Sequence, residues 1–312
     1  MKYKQWLTEW LENYVKPVSK HKTYIRYNEI VQQHVTAQLG NYELQSLTPL
    51  VLQHYTMRLL KNGNLRTGRG LSVNTVNGIV TVIQNSLRSA YSVGQLDEYF
   101  ADKIKRPRSN QKQITSFTVS EQRKIEKEVL ANPKPRMFGI VLCLYTGLRI
   151  GELLALEWTD IDFNKCTVSV TKSLHDGKDA NGNNARIIDA PKTVTSKRVI
   201  PFPKQLLPYL KELRRSATDK YVVSSSKGQG VVFVRAYQKS FEVCLKKLKI
   251  PHKGFHALRH TFATRAIECG MDVKTLSEIL GHKNASVTLN KYVHSFMEHK
   301  KEMMNKVGKL LH

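Results

Sequence analysis

No stretch of this sequence is apolar enough to cross a bilayer. The longest apolar run, MFGIVLCLYTGL at residues 137–148, falls short of the roughly 20 residues a helical span requires. The first residues, MKYKQWLTEWLENYV, intersperse charges among apolar side chains and lack a signal-peptide core. Cysteine is scarce: Cys143, Cys166, Cys244 and Cys269 are scattered with no CxxC pairing, which excludes a zinc knuckle and a disulfide framework and leaves reduced, mostly buried thiols. No stretch matches the G-x-x-x-x-G-K-[ST] phosphate cradle, which argues against ATP hydrolysis, and no G-x-S-x-G elbow offers a serine nucleophile. Acidic side chains are also in short supply. Against 25 Asp and Glu stand 50 Lys and Arg, a formal charge of +25 with pI near 9.9, so the expected partner is a polyanion. Nucleic acid leads, and an anionic membrane surface is the weaker alternative.

The 312 residues exceed the usual size of one compact core, which points to two domains. In the first hundred residues the periodicity is helical. Trp6, Leu7, Trp10, Leu11 and Tyr14 share one amphipathic face, a second helix runs from Thr23 towards Leu39, Thr48-Pro49 opens a third, and Ser72 caps a fourth that ends near Gly94. Between the third and fourth, KNGNLRTGRGLS suits a mobile loop near phosphates, with Arg66 and Arg69 as candidate DNA contacts. The stretch 103–115 is basic, lacks apolar periodicity and contains Pro107; it reads as an interdomain linker whose Lys103, Lys105, Arg106 and Arg108 are further DNA candidates. Domains of 1–102 and 116–312 follow. The second opens on a helix with Thr118 and Glu121 at capping-box spacing, and helices continue to about Trp158. Then CTVSVTKSL, ARIIDAPKT and SKRVIPF read as strands, the first two joined through HDGKDANGNNA, and helix returns from Pro203 to the end. The fold class is mainly α with a small antiparallel β-sheet.

The chemistry concentrates in FHALRHTFATRAIECG at 255–270 and LGHKNASVTLNKYVH at 280–294. His256 and His260 have the i, i+4 spacing of a shared metal ion, but Arg259 between them repels a cation and no glutamate completes a metalloprotease motif. No metal is expected. His256 and Arg259, three apart on one helical face, can instead reach one anion, and Arg149, following the turn at Gly147, presents a guanidinium from a second direction. Such a set suits a phosphodiester whose non-bridging oxygens gain negative charge during reaction. The nucleophile has to come from elsewhere, and Tyr292, the only tyrosine after Tyr237, can supply a phenolate. His260 is read as packing on the far side of its helix and His294 as exposed.

In their order along the chain, TGLRIGELLAL, PKTVTSKRVIP, HALRHTFATRAIECG and LGHKNASVTLNKYVH resemble the catalytic signature of the tyrosine recombinases, the phage-integrase family that includes conjugative-transposon integrases and Xer proteins. The resemblance covers residues 146–294. It implies Tyr292 as the nucleophile, leaving a 3′-phosphotyrosyl link and a free 5′-hydroxyl. It implies Arg149 and Arg259 on the scissile phosphate, His256 beside them for proton transfer and hydrogen bonding, His282 hydrogen-bonded to the phosphate, and Glu152 as a supporting group that orients its neighbours. The acid for the leaving 5′-oxygen matches Lys192, with Lys172 and Lys197 as nearby alternatives.

The same resemblance implies a two-domain C-shaped clamp on duplex DNA, made of a helical, SAM-like core-binding domain and a catalytic domain. It implies transesterification without cofactor, ATP or metal, and four protomers acting on two DNA sites through a Holliday junction. Residues 296–311, with Phe296, Met303, Met304, Val307, Leu310 and Leu311, are expected to pack on a neighbouring protomer. The chain begins at the core-binding helices, so an arm-binding domain is expected to be absent or trimmed. The expected function is integration or excision of a mobile element from Gram-positive bacteria, with accessory excision or DNA-bending proteins as further partners and a cytoplasmic, nucleoid-associated location in a bacterium. The alternatives are an Xer-type resolution recombinase, a catalytically idle DNA-binding relative and a relaxing topoisomerase.

Overall fold

The computed structural model describes the chain except residues 109–115, 180–181, 190–196, 226–229, 283–300, 302–303, 306 and 310–312. The chain divides into two compact units, Met1–Lys112 and Gln113–His312.

The first unit is helical. Helix α1 (Tyr3–Trp10) runs into a π turn at Leu11–Val15; α2 (His21–Ile30) continues through a π turn at Val31–Val35 into α3 (Thr36–Leu39); α4 (Pro49–Asn62) and α5 (Val73–Ser92) complete it. The helix starts are fixed locally. The Thr48 hydroxyl accepts a hydrogen bond from Val51 N with Pro49 in the first helical position, and the Ser72 hydroxyl accepts one from Thr75 N. The apolar face expected on the first helix is the core, where Tyr3, Trp6, Leu7 and Trp10 are buried. Their polar atoms are satisfied by α5: Trp6 Nε1 donates to Ser86 O at 3.0 Å, Trp10 Nε1 to Ser89 Oγ at 3.0 Å, and Tyr3 Oη lies 2.6 Å from Ser86 Oγ. Tyr14, expected on the same face, is exposed. Residues 103–108, within the stretch read as linker, lie on this unit: Ile104 is buried, Lys105 N donates to Gln53 Oε1 at 3.0 Å, the Arg106 guanidinium bonds to Thr81 and Gln84, and Asn77 Nδ2 donates to Pro107 O at 3.1 Å.

The second unit opens with α6 (Val119–Ala131), where both bonds of the Thr118–Glu121 capping box are present. Helices α7 (Pro135–Thr146) and α8 (Ile150–Leu154) follow, then strands β1 (Ile161–Asp162), β2 (Thr167–Val170), β3 (Ser173–Lys178), β4 (Asn184–Asp189) and β5 (Arg198–Pro201). Helices α9 (Leu207–Arg215), α10 (Val234–Lys247), α11 (His256–Glu268) and α12 (Val273–Leu280) follow. The strand region makes two small antiparallel sheets: β1-β2-β5, with Val168 opposite both Ile161 and Ile200, and a β3-β4 hairpin running from Ser173 opposite Asp189 to Lys178 opposite Asn184. The single strand expected from CTVSVTKSL is therefore two, parted at Thr171–Lys172, where Lys172 Nζ turns to Glu157 (3.0 Å) and Asp160 (3.4 Å). Beyond the break β3 crosses α8 so closely that a Cβ at Gly151 would lie 2.5 Å from Leu174 O. Asp176 then docks the hairpin by accepting Val234 N (2.9 Å) and Arg235 N (3.2 Å) at the start of α10.

No described helix is long and apolar enough to cross a membrane. Cys143, Cys166 and Cys244 are buried free thiols, and Cys269 is exposed.

Candidate active site

The site grows from the end of α7. That helix stops because Gly147 takes the left-handed conformation (φ 64°), its N–H still bonded to Cys143 O. Two residues on, Arg149 sits at the N-cap of α8, its backbone N–H donating to Glu152 Oε2 at 2.9 Å and its guanidinium to Glu152 Oε1 at 2.7 Å. One buried carboxylate thus holds both ends of the arginine. Helix α11 packs on α7 and supplies Arg259, which is only 2% exposed.

The guanidiniums converge on the C-terminus of α12, where the last helical carbonyls have no partner within the helix. Arg198 Nε donates to Ile279 O at 2.6 Å, Arg259 Nη2 to Leu280 O at 2.6 Å, and Arg149 Nη2 to Gly281 O at 3.1 Å. Three arginines therefore hold three consecutive carbonyls at the negative end of one helix. Arg259 Nη1 also donates to Gly147 O (2.8 Å), which ties the turn after α7 to the same group. Gly281 is left-handed (φ 62°) and redirects the chain so that His282 Nε2 lies 2.9 Å from Arg259 Nη2. A guanidinium only donates, so Nε2 is the acceptor and the imidazole carries no proton there in this arrangement.

Arg198 and Arg149 share Glu152. Arg198 Nη1 reaches Oε1 at 3.1 Å and Nη2 reaches Oε2 at 2.8 Å, a two-pronged pair with side chains 6% and 4% exposed. Burial acts to raise the Glu152 pKa; the hydrogen bonds and charge of Arg198, with the charge of Arg149, outweigh it and hold the carboxyl below its ordinary value. Burial, with the Glu152 charge nearby, pushes the Cys143 thiol far up, so it stays protonated. Three arginines against one carboxylate leave an excess of positive charge, partly open to solvent at Arg149, whose side chain is 35% exposed. Such a group can bind a phosphodiester and offset charge growing on its oxygens.

Of the residues expected at the site, the structure brings Arg149, Glu152, Arg259 and His282 together. His256 is exposed in the first turn of α11, and its ring meets that of His260 edge-on, centroids 4.6 Å apart. His260 is therefore on the His256 side of the helix and not the far side, as i, i+4 geometry dictates. Lys172 is committed to Glu157 and Asp160, while Lys197 is exposed beside Arg198. Lys192, Tyr292, His294, Phe296, Met303, Leu310 and Leu311 lie outside the described residues; Met304 and Val307 are exposed.

In the first unit Arg66 and Arg69 are exposed on a turn closed by Asn64, whose Oδ1 accepts from Arg66 N (3.0 Å) and Thr67 N (3.2 Å) and whose backbone N–H donates to Arg69 O at 2.8 Å. The loop is thus internally bonded. Lys105 and Arg108 are exposed, and Lys103 pairs with Glu98 at 2.9 Å.

Two features escaped the sequence reading. Arg198 lies within the quoted PKTVTSKRVIP, but nothing in its local pattern announces a buried ion pair. The start of the second unit is also fastened to the site helix: Phe117 N donates to Thr261 Oγ1 at 2.8 Å, and Arg265 Nη2 donates to Phe117 O at 3.0 Å.

Known proteins resemble this chain along most of its length. The phage integrase family model matches residues 109–299, and the phage integrase N-terminal SAM-like domain model matches residues 2–60. A XerC-like tyrosine recombinase of Caldanaerobacter subterraneus subsp. tengcongensis is 29% identical over 310 residues, covering 91% of this chain and 77% of that one. The ICEBs1 integrase of Bacillus subtilis is 24% identical over 305 residues, covering 94% and 79%. Among solved structures, the Tn1549 transposon integrase in complex with transposon right end DNA superposes with a TM-score of 0.79 at 21% identity, covering 99% of this chain and 100% of that one, a likeness of fold. With the family model spanning well over half the chain and the arginine cluster inside the matched region, this protein belongs to the phage integrase family and is a tyrosine recombinase, an enzyme of DNA strand cleavage and rejoining.

Proposed function

We propose that this chain is the site-specific integrase of a mobile element, with Tyr292 as its nucleophile. The observation that carries the reading is the clustering of Arg149 and Arg259 on the carbonyls of α12 with His282 bonded to Arg259. In the proposed reaction the Tyr292 oxygen attacks the scissile phosphorus, a P–O bond to tyrosine forms and the P–O5′ bond breaks. The product is a 3′-phosphotyrosyl link, with Lys192 delivering the proton to the departing 5′-oxygen. Arg149 and Arg259 hold the non-bridging oxygens as their charge grows, and His256 stands beside them for proton transfer. A 5′-hydroxyl of the partner strand reverses the step, so the phosphodiester energy is conserved and no external reactant is consumed.

DNA enters as the partner through the charge of +25 and through the relatives' mobile-element names. Both units contact the duplex, and four protomers work on two sites inside a bacterial cell. The XerC-like relative favours a second reading, resolution of chromosome or plasmid multimers.

The test uses nicked suicide duplexes spanning the flanks of the encoding locus, in EDTA, followed by denaturation. A protein–DNA adduct lost in Tyr292→Phe is the expected result. Binding to a verified site without any adduct would make the idle DNA-binding relative the better reading. Adducts on random duplex as readily as on the flanks would favour a topoisomerase.

A further inference from the structure

We infer that Arg198 is a positioning residue for the phosphate site: it neutralises Glu152 so that Arg149 keeps its positive charge for the DNA phosphate, and it holds the α12 terminus that carries His282. This rests on the recombinase reading above. The geometry is specific. Arg198 and Arg149 bind the same two anchors, the Glu152 carboxylate and the C-terminal carbonyls of α12. Their exposures differ in kind, with Arg198 6% and Arg149 35% exposed, so Arg149 is the one open to an incoming anion.

The charge count makes the role necessary. Glu152 between two arginines leaves a net charge of one positive; without Arg198 the buried carboxylate would cancel Arg149, and a phosphodiester would meet a neutral pair. Glu152 would also lose its two-pronged donor, and Ile279 O would lose its cap. The corner at Gly281 is built around this side chain, because a Cβ there would lie 3.1 Å from Arg198 Nη1. Among the described residues, Arg198 thus acts on the phosphate through Glu152, which it shares with Arg149, and through the α12 terminus that leads to His282.

A role of this kind is separable from simple structural support by removing the opposing charge as well. The rate of Tyr292-dependent adduct formation on the suicide duplexes is measured, at saturating protein, for the wild type, Arg198→Met, Arg198→Lys and the double variant Arg198→Met/Glu152→Gln, with DNA affinity and melting temperature measured alongside. Arg198→Met is expected to form adduct about tenfold more slowly, a mid-range coupling for one ion-pair network, with DNA affinity within about twofold of wild type. The double variant, in which a neutral Gln leaves Arg149 unopposed, is expected to recover at least about threefold of that loss. Should Arg198→Met melt below the assay temperature, Arg198→Lys decides: a rate within about threefold of wild type supports the charge role.

An unslowed Arg198→Met, a double variant no faster than the single, or an Arg198→Lys more than about tenfold slow overturns the role of Arg198 alone. A wild-type protein that binds its site and yields no Tyr292-dependent adduct overturns the recombinase reading, and this inference with it.

Discussion

Arg259 Nη2 lies 2.9 Å from His282 Nε2, and the same nitrogen donates to Leu280 O at 2.6 Å while Nη1 donates to Gly147 O at 2.8 Å. One side chain thus joins the turn after α7, the end of α12 and the imidazole beyond it. A lysine has one nitrogen and cannot reach these separated acceptors in the same planar fork.

Arg259→Lys is accordingly expected to lower the rate of covalent adduct formation by about 10²–10³, the range for loss of one preorganised anion donor. Single-turnover trapping on a cognate suicide duplex measures it. A rate within a few-fold of wild type would remove Arg259 from the phosphate site.

Gly147 and Gly281, the left-handed glycines flanking the arginine cluster, respond differently to a methyl group. At Gly281 the added Cβ would lie 3.1 Å from Nη1 of the hydrogen-bonded Arg198, which has to give by a few tenths of an ångström, and the backbone conformation adds about 1–2 kcal/mol, or a melting point about 2–8 °C lower for Gly281→Ala. At Gly147 the Cβ would lie 2.6 Å from Phe262 Cδ1 and 2.8 Å from Leu280 Cδ2, inside the packing of α11 and α12, so Gly147→Ala is expected to melt lower still. Thermal melts of the pair check the order.

Acid sensitivity follows from Glu152. Its carboxyl titrates below the ordinary value in the folded state, so its contribution to stability is complete above the unfolded value of about 4.3 and is lost as pH falls through the folded one. Glu152→Gln should cost about 2 kcal/mol at pH 7, through weakened bonds to charged donors, and should flatten the fall in melting temperature below about pH 4. Parallel slopes in the wild type and the variant would show that other carboxylates govern the acid limb.

Exposed Arg66 and Arg69 are expected to contact phosphates without reading bases. Replacing both with alanine should weaken DNA binding by a similar factor on every duplex and reduce the slope of log K against log salt by about 1–2. A change confined to one sequence would point instead to base recognition.

Much of the helical frame is legible in the sequence because its signals are local. Thr48-Pro49, Ser72 and Thr118 with Glu121 mark helix starts through hydrogen bonds that span three residues. The break at Thr171–Lys172 is not legible, since it depends on carboxylates at Glu157 and Asp160 and on the approach of β3 to Gly151. In the same way the motif strings expose Arg149, Arg259 and His282, whereas Arg198 becomes recognisable only when β5 brings it 2.8 Å from Glu152, forty-six positions away in the chain. His260 shows the converse: its spacing from His256 already placed both rings on one side, and geometry was the better guide than its assignment to the far side.

The bonds from Thr261 and Arg265 to the backbone of Phe117 have a mechanical meaning. Tension entering the second unit through the preceding segment is borne at Phe117 by α11, the helix that presents His256 and Arg259, before it reaches α6. A pull on the chain at that point loads the helix of Arg259 directly.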